Sequence, residues 1–167
     1  MQIRDIAMRD FSAWQGLMRQ VHALHAENRP DCYRPSMSFE EGELRALIDD
    51  PAVDAFVAEI DGTVAGLAVL VHRKPPANPA MQPRRVAFLD DLCVDERFRG
   101  QGVGTALLQE VQRRAALRQA DSLELMAWGF NESAIRFYQR AGFGVRSLIL
   151  EYPERHAAPM EPQAPVK

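Results

Sequence analysis

The stretch that decides the fold lies in the second half of the chain, where a β-rich segment changes into a helical one. It reads Val94-Asp95-Glu96-Arg97-Phe98-Arg99-Gly100-Gln101-Gly102-Val103-Gly104-Thr105. Residues 86 to 94 before it predict a strand, and apolar residues after it recur with helical spacing to about Gln119. Glycines at positions 100, 102 and 104 let backbone N–H groups approach an anion, and the helix N-terminus adds roughly half a positive charge. The stretch therefore predicts a pyrophosphate-binding loop.

Two common phosphate-binding motifs do not fit this loop. An NTPase loop needs a lysine directly after its last glycine, and no lysine follows these glycines. A dinucleotide fingerprint needs glycine at its sixth position, which is Thr105 counted from Gly100 and Leu107 counted from Gly102. The pattern that remains is Arg99-x-x-Gly102-x-Gly104.

A second motif follows at Asn131-Glu132-Ser133-Ala134-Ile135-Arg136-Phe137-Tyr138-Gln139-Arg140-Ala141-Gly142-Phe143. The two motifs together resemble the R/Q-x-x-G-x-G/A loop and the N-x-x-A-x-x-F-Y-x-x-x-G-F segment of GNAT N-acetyltransferases. The strand from Phe88 to Val94 is similar to the one that enters the loop in diamine and polyamine acetyltransferases. The agreement covers about residues 86 to 145, so the N-terminal half carries little of it.

The resemblance implies an α+β (α/β) single domain with a mixed central sheet of about six to seven strands and about four helices. In this family two parallel strands splay apart at the acetyl-CoA cleft. We predict that residues 1–153 form the N-acetyltransferase domain and that residues 154–167, rich in Pro and Ala, form a flexible tail.

Local patterns outside the motifs predict the remaining elements. A strand is expected at Ile3 to Ile6, and Asp10 is expected to cap a helix that ends near Asn28. A capping box at Ser38 to Glu41 predicts a second helix, which Pro51 ends. The Asp61-Gly62 pair predicts a hairpin.

Three further segments complete the expected fold. The proline-rich stretch from Lys74 to Pro83 predicts a loop, and Leu123 to Ala127 predicts a strand parallel to residues 86–94. Residues Phe143 to Tyr152 predict the final strand or strands.

The resemblance also implies acetyl-CoA as cosubstrate and acetyl donor, and no metal. It assigns cofactor binding to the strand end, the loop, the start of the next helix and one downstream asparagine: Leu92, Cys93, Val94, Arg99, Gly100, Gln101, Gly102, Val103, Gly104, Thr105 and Asn131. Backbone N–H groups of residues 92–94 would bind the acetyl carbonyl and the pantetheine arm. Asn131 would bind the pantetheine amides, or serve as a plain helix cap.

Two residues match catalytic positions of the family. Tyr138 would protonate the departing thiolate, with ring packing as the alternative role. Asp90 aligns with the carboxylate of the polyamine-type enzymes and would act as base, directly or through a water. Strand alternation puts Asp90 and Asp91 on opposite faces of the sheet unless a bulge intervenes.

Other reactive side chains invite weaker hypotheses. His22, His25 and Glu27 lack the spacing of a zinc site, which favours a solvated helix end over a metal centre. Cys93 has no neighbouring histidine to activate it as a nucleophile. Trp128 would either flank the acceptor or pack in the core.

Composition bounds the class of partner. The 167 residues are 47% hydrophobic and carry a net charge of −3, which disfavours binding to nucleic acid. With no apolar run near the ~18–20 residues that a membrane span needs, we expect a cytoplasmic protein that forms no membrane contact. The resembling family includes dimers, so a homodimer is possible.

The expected function is transfer of an acetyl group to an amine. The acceptor is expected to be a small polyamine-like or amino compound. A protein acetyltransferase, acting on an N-terminal or lysine amine, and a non-catalytic acyl-CoA sensor are the alternatives.

Overall fold

The computed structural model describes residues 1–74 and 78–152. Within them lie four α-helices and a five-stranded sheet. In chain order the elements are β1 (Gln2–Asp5), α1 (Phe11–Asn28), α2 (Glu41–Asp49), β2 (Val53–Ile60), β3 (Thr63–Arg73), β4 (Val86–Val94), α3 (Val103–Leu117), β5 (Ser122–Leu125) and α4 (Glu132–Arg140). They group into two compact units, Met1–Phe130 and a second one from Asn131 onward. The predicted mixed α+β fold class is confirmed.

The sheet lies entirely in the first unit and has the order β1-β2-β3-β4-β5. Strands β1 to β4 pair with one another in antiparallel fashion, whereas β5 is parallel to β4, with α3 as the crossover. The β2–β3 hairpin turns at Asp61 and Gly62, which have φ angles of 48° and 76° as a two-residue turn requires. The hairpin prediction is therefore confirmed.

Helices cover both faces of the sheet. On one face, α1 and α2 pack Trp14, Leu17 and Leu44 against sheet residues such as Val57 and Cys93. On the other face, α3 packs its fully buried side chains Leu107 and Val111 against β3 and β4. Alternation along each strand sends successive residues to opposite faces, which explains the buried runs in β2 and β3.

Gly66 on β3 allows the start of α3 to lie close to the strands. A Cβ placed on Gly66 would meet the Cys93 carbonyl oxygen at 2.6 Å, and side-chain atoms of Leu107 and Val103 at 3.1 and 3.2 Å. Because backbone cannot yield as a flexible side chain can, any larger residue would push β4 or α3 away. Gly66 thus fixes the end of the strand and the beginning of the helix that flank the glycine loop.

The predicted strand count is too high. The described sheet has five strands rather than six or seven, and the expected strand at residues 143–152 is absent from it. Val145, Leu148, Ile149, Leu150 and Tyr152 in this segment are between 72% and 90% exposed. Their β-forming side chains favour extended backbone, but a strand also needs a ladder partner.

Asp10 occupies the N-cap position of α1 as predicted, but without the expected side-chain hydrogen bond, and the cap predicted at Ser38 is misplaced. The Asp10 side chain makes no cap hydrogen bond to α1 and instead accepts two hydrogen bonds from Arg4, at 2.7 and 2.8 Å. The second helix begins after Glu40, whose backbone N–H donates to the Glu43 carboxylate, so the capping box lies two residues later than Ser38. In the first case an ion pair outcompetes a local cap.

The remaining segments agree where they are described. Residues 74 and 78–83 carry no strand, as the prolines predict. The predicted tail at 154–167 lies outside the described residues. No helix among the described residues is both long and apolar enough to cross a bilayer.

Candidate active site

A gap opens in the sheet where the two parallel strands part. β4 pairs with β5 from Val86↔Ser122 to Leu89↔Leu125, and β5 ends there. β4 continues to Val94, so its residues 90–94 have no β5 partner along that edge. Backbone groups that would otherwise complete a ladder are thus available for a ligand, at the carboxyl ends of parallel strands.

A β-bulge sits at the point where the strands part. On β3, Val69 is opposite Asp91 and Leu70 is opposite Leu89, so Asp90 has no partner on that strand. The extra residue reverses the alternation, and Asp91 therefore shares a face with its partner Val69. Val69 belongs to the core beneath α1 and α2. Asp90 itself is exposed.

Burial gives Asp91 unusual acid–base properties. Desolvation, with a smaller contribution from the charge of Asp90, raises the pKa of Asp91 from 3.8 to about 6. Both effects disfavour the carboxylate form. Asp91 is half-buried by exposed area. A carboxyl with this pKa exchanges protons close to neutral pH.

Cys93 is a buried thiol rather than a nucleophile. Its Sγ lies 3.6 Å from the Leu17 carbonyl oxygen, on the α1 side of the sheet. Burial raises its pKa to about 12, although Arg99 acts in the opposite direction. A thiol that stays protonated at neutral pH does not attack a thioester. Leu92 and Val94, on either side, are half-buried.

The predicted phosphate loop has the backbone that anion binding requires. Gly100 and Gly102 have φ angles of 75° and 81°, in a region of backbone conformation that residues other than glycine rarely adopt. Gly102 is the N-cap of α3, so Val103, Gly104 and Thr105 form the first helical turn and their N–H groups lack intrahelical partners. Residues 99–102 are exposed. The loop can therefore receive a pyrophosphate on the helix axis.

Two side-chain contacts brace this loop. Arg99 Nε donates to the Val94 carbonyl oxygen at 3.3 Å, and Gln101 Nε2 donates to the Arg97 carbonyl oxygen at 3.2 Å. Both side chains come from exposed residues, so their remaining donors reach the surface beside the glycines. Arg99 and Gln101 could hold phosphate oxygens there.

The second unit carries the other two predicted site residues on α4. The Asn131 side-chain oxygen accepts a hydrogen bond from the Ala134 N–H at 3.2 Å, so it caps this helix. Tyr138 is half-buried, and its ring lies 5.2 Å from that of Phe137 and 5.7 Å from that of Phe143. Asn131 and Tyr138 are seven positions apart, two helical turns, and thus share one face of α4.

An aromatic surface lies beyond the end of β5. It consists of the half-buried residues His22, His25, Tyr33, Trp128 and Phe130. Trp128 Nε1 donates to the Tyr33 hydroxyl at 3.0 Å, and the His25 ring stacks on Tyr33 at 5.0 Å. Burial lowers the pKa of His25, which favours the neutral imidazole. The rings of both His22 and His25 contact Tyr33 and form part of this surface.

A groove of about 720 Å³ lies elsewhere, between the start of α1 and the β2–β3 hairpin. Most of its charged residues pair with one another: Arg4 pairs with Asp10 and Glu59, each at 2.7 Å, and Arg97 pairs with Asp95 at 2.8 Å. These side chains are thus already engaged in ion pairs. We therefore place the candidate site at the splay and the glycine loop.

Comparison of the sequence with known proteins identifies a family in which this arrangement of strands and glycine loop is expected. The family model for the acetyltransferase (GNAT) family matches residues 18–143. The chain belongs to the GNAT acetyltransferase family. Its members transfer acyl groups from acetyl-CoA, and the assignment of this chain as an acyltransferase follows.

Curated relatives carry several acetyltransferase activities. The GNAT chain is 29% identical over 161 residues to the L-amino acid N-acetyltransferase of Escherichia coli (strain K12), covering 92% of this chain and 89% of that protein. It is 32% identical over 127 residues to a mycothiol acetyltransferase of Propionibacterium freudenreichii, covering 72% of this chain and 39% of the longer relative. The family is shared, whereas the acceptors differ.

Solved structures share the fold. The tetramutant of the BH1408 protein from Bacillus halodurans superposes with a TM-score of 0.87 at 28% identity, covering 92% of this GNAT chain and 99% of that chain. An aminoglycoside N-acetyltransferase in complex with CoA superposes with a TM-score of 0.70 at 21% identity, over 92% and 99% of the two chains. At that identity the likeness concerns the fold.

Sequence reasoning about this GNAT site missed two features. The first is Asp91, whose orientation depends on a bulge that no local pattern marks. The second is Tyr33, which brings the histidines of α1 and Trp128 into one surface. The sequence did offer a signal for Tyr33, because an aromatic residue is unexpected in the otherwise polar segment after α1. Tyr33 lies outside the family motifs quoted above, whereas Asp91 lies within the strand from Phe88 to Val94 that resembles the family's.

Proposed function

We propose that this protein moves the acetyl group of acetyl-CoA to the primary amine of a small molecule, by direct transfer in a ternary complex. One observation carries the proposal: β4 and β5 part at Leu89 and Leu125, and β4 then leads into a glycine loop at the N-terminus of α3. This arrangement supplies unpaired strand backbone beside a phosphate-binding helix end.

Each part of the donor has a predicted partner in the chain. The N–H groups from Gly100 to Thr105 would bind the pyrophosphate, and the backbone of residues 92–94 would bind the pantetheine arm and the acetyl carbonyl. Asn131 would contribute to pantetheine binding. Tyr138 would donate a proton to the sulfur, and Asp90 is the predicted base.

Direct transfer is favoured over an acyl-enzyme by the state of Cys93. This thiol lies at the splay but is 5% exposed, with a pKa of about 12. A covalent route needs a thiolate near neutral pH. The amine of the acceptor is then the group that attacks the thioester.

The aromatic surface and the relatives support a proposal about the class of acceptor. Half-buried rings at the end of β5 would pack against a compact body that carries the amine. The relative that acetylates L-amino acids, together with the aminoglycoside enzyme of the same fold, supports small acceptors. We therefore propose a small amino compound ahead of a protein amine. A cytoplasmic homodimer is part of the same proposal.

Release of free CoA thiol from acetyl-CoA tests this function across L-amino acids, polyamines, an aminoglycoside and a lysine peptide. We expect turnover with a small amine and initial-rate lines that intersect when both substrates are varied. Parallel lines would indicate an acyl-enzyme instead. Binding of acetyl-CoA without turnover of any amine would favour the sensor alternative.

A further inference from the structure

We propose that the Asp91 carboxylate binds the ammonium form of the acceptor and takes its proton. This inference rests on the proposed acetyl transfer and names the residue that prepares the nucleophile. It also specifies the acceptor class as an amine that arrives as a cation. The basis is a partly buried carboxyl at the splay that lacks a cationic partner.

The other buried or half-buried carboxylates of the first unit already form ion pairs. Asp10 pairs with Arg4, and Glu110 pairs with Arg113 and Arg114. Asp54 pairs with His72 and Arg118. By contrast, no hydrogen bond or ion pair reaches the Asp91 side chain from any residue that the structure describes. A half-buried carboxylate without a cation leaves a position that a ligand's ammonium group can fill.

The Asp91 carboxyl is also accessible. Among the described residues, every fully buried polar side-chain atom has a hydrogen-bond partner. The unpartnered oxygens of Asp91 therefore retain some contact with solvent. The bulge at Asp90 turns this side chain toward the face beneath α1 and α2, beside the edge where β4 loses its β5 partner. A small amine can approach there while the thioester lies along residues 92–94.

The charges around Asp91 are few. Its neighbour Asp90 adds negative potential, and its β3 partner Val69 is apolar. The helices packed on this face bring apolar side chains, and α1 also carries His22 and His25, whose rings contact Tyr33. Farther along, Arg99 and Asp95 affect Cys93 with opposite signs. Negative charge therefore prevails at Asp91, which suits a cation.

The chemical step balances with these groups. The acceptor enters as R–NH3⁺ and gives one proton to the Asp91 carboxylate, and its lone pair then forms the N–C bond to the thioester carbonyl. The tetrahedral intermediate breaks its C–S bond, and the departing thiolate takes up the second amine proton. Asp91 then releases its proton to water. The products are the N-acetyl amine, CoA thiol and one proton.

Burial supports this role because it brings the acidity of the base closer to that of the amine. With a pKa of about 6, Asp91 is ionised at pH 7 yet accepts a proton more readily than an exposed aspartate would. Asp90 is the rival for the role, and it is exposed at the bulge. The two hypotheses, Asp91 as base and Asp90 as base, therefore predict different effects of substitution at each position.

Steady-state kinetics of Asp91→Asn and Asp90→Asn decide between them, with the best acceptor from the amine panel. We expect Asp91→Asn to lower kcat/KM roughly 10²–10⁴-fold and to remove its low-pH limb near pH 6, with acetyl-CoA affinity kept. Asp49→Asn, at an exposed position on α2, is the matched control and should behave as wild type. A larger loss and a lost limb in Asp90→Asn, with the limb intact in Asp91→Asn, would overturn the proposal.

A second measurement does not depend on turnover. The carboxyl ¹³C resonance of Asp91, identified by its absence in Asp91→Asn, is titrated against pH with and without n-butylammonium chloride and CoA. A bound ammonium group lowers the pKa of this carboxyl. An unchanged titration would contradict the ammonium site. If the titration responds but no amine is acetylated, the proposed function fails while the binding site stands.

Discussion

At the scale of single residues, Asp90 and Asp91 show how one unpaired position in a β-ladder gives two identical side chains different environments. Asp90 is exposed because it occupies the bulge, and Asp91 is half-buried with a raised pKa because it follows the bulge. Strand periodicity alone places these two residues on opposite faces without saying which one faces α1 and α2. The identity of both side chains was evident from the sequence, whereas their orientation depends on the pairing of β3 with β4.

Tyr138 allows a test that separates chemistry from packing. Tyr138→Phe keeps the ring that contacts Phe137 and Phe143 and removes the hydroxyl. If the hydroxyl protonates the leaving sulfur, kcat should fall roughly 10²–10⁴-fold with acetyl-CoA binding nearly intact. Steady-state kinetics measures kcat, and calorimetry on the same preparation measures the affinity for acetyl-CoA.

The control for this experiment is Tyr152→Phe, at a position that is 90% exposed. Its kcat should equal that of the wild type. A Tyr138→Phe protein with kcat within a few-fold of wild type and a lower melting temperature would show a packing role instead.

At the scale of elements, local signals worked where a few neighbouring residues determine the backbone. The hairpin turn at Asp61 and Gly62 and the bounds of β4 were predictable because turn chemistry and β-propensity act within the element. The final strand was not, because residues 143–152 have β-forming side chains but no ladder partner among the described residues. A strand is a property of two segments, and one segment alone does not determine it.

The loop and the first turn of α3 make a prediction about the donor site. Gly104→Asp places a carboxylate in the first helical turn, where the helix dipole favours it, so the fold should be retained. The same carboxylate would repel a pyrophosphate bound at that helix end. We expect calorimetry to show at least a ~100-fold loss of acetyl-CoA affinity, about 2.7 kcal/mol.

The matched variant is Gly104→Ala, because the family motif admits either glycine or alanine at this position. It should bind acetyl-CoA with nearly wild-type affinity. A folded Gly104→Asp protein that binds acetyl-CoA as well as the alanine variant would show that the phosphates bind elsewhere.

At the scale of the whole molecule, Asp10 and Asp91 affect stability with opposite signs. Hydrogen bonds from Arg4 lower the pKa of Asp10 below its ordinary 3.8, so its stabilising effect is present above that value and is lost as the pH falls. Burial raises the pKa of Asp91 to about 6, so its ionisation costs stability as the pH rises from about 4 to above 6. At neutral pH the ionised Asp10 side chain therefore stabilises the fold, whereas the ionised Asp91 side chain destabilises it.

This contrast predicts how two variants respond to pH in urea unfolding. At pH 7, Asp91→Asn should raise the free energy of unfolding by up to about 3 kcal/mol, because the variant no longer buries an ionised carboxyl. Asp10→Asn should lower it by roughly 1.5–3 kcal/mol, because charge-assisted hydrogen bonds to Arg4 are lost. Near pH 4 the gain from Asp91→Asn should vanish, since the carboxyl is then protonated in the folded wild type. A destabilised Asp91→Asn protein at pH 7 would mean that Asp91 has an internal partner and is not poised to receive a ligand's ammonium group. A gain that does not change with pH would mean that the pKa of Asp91 is not raised by folding.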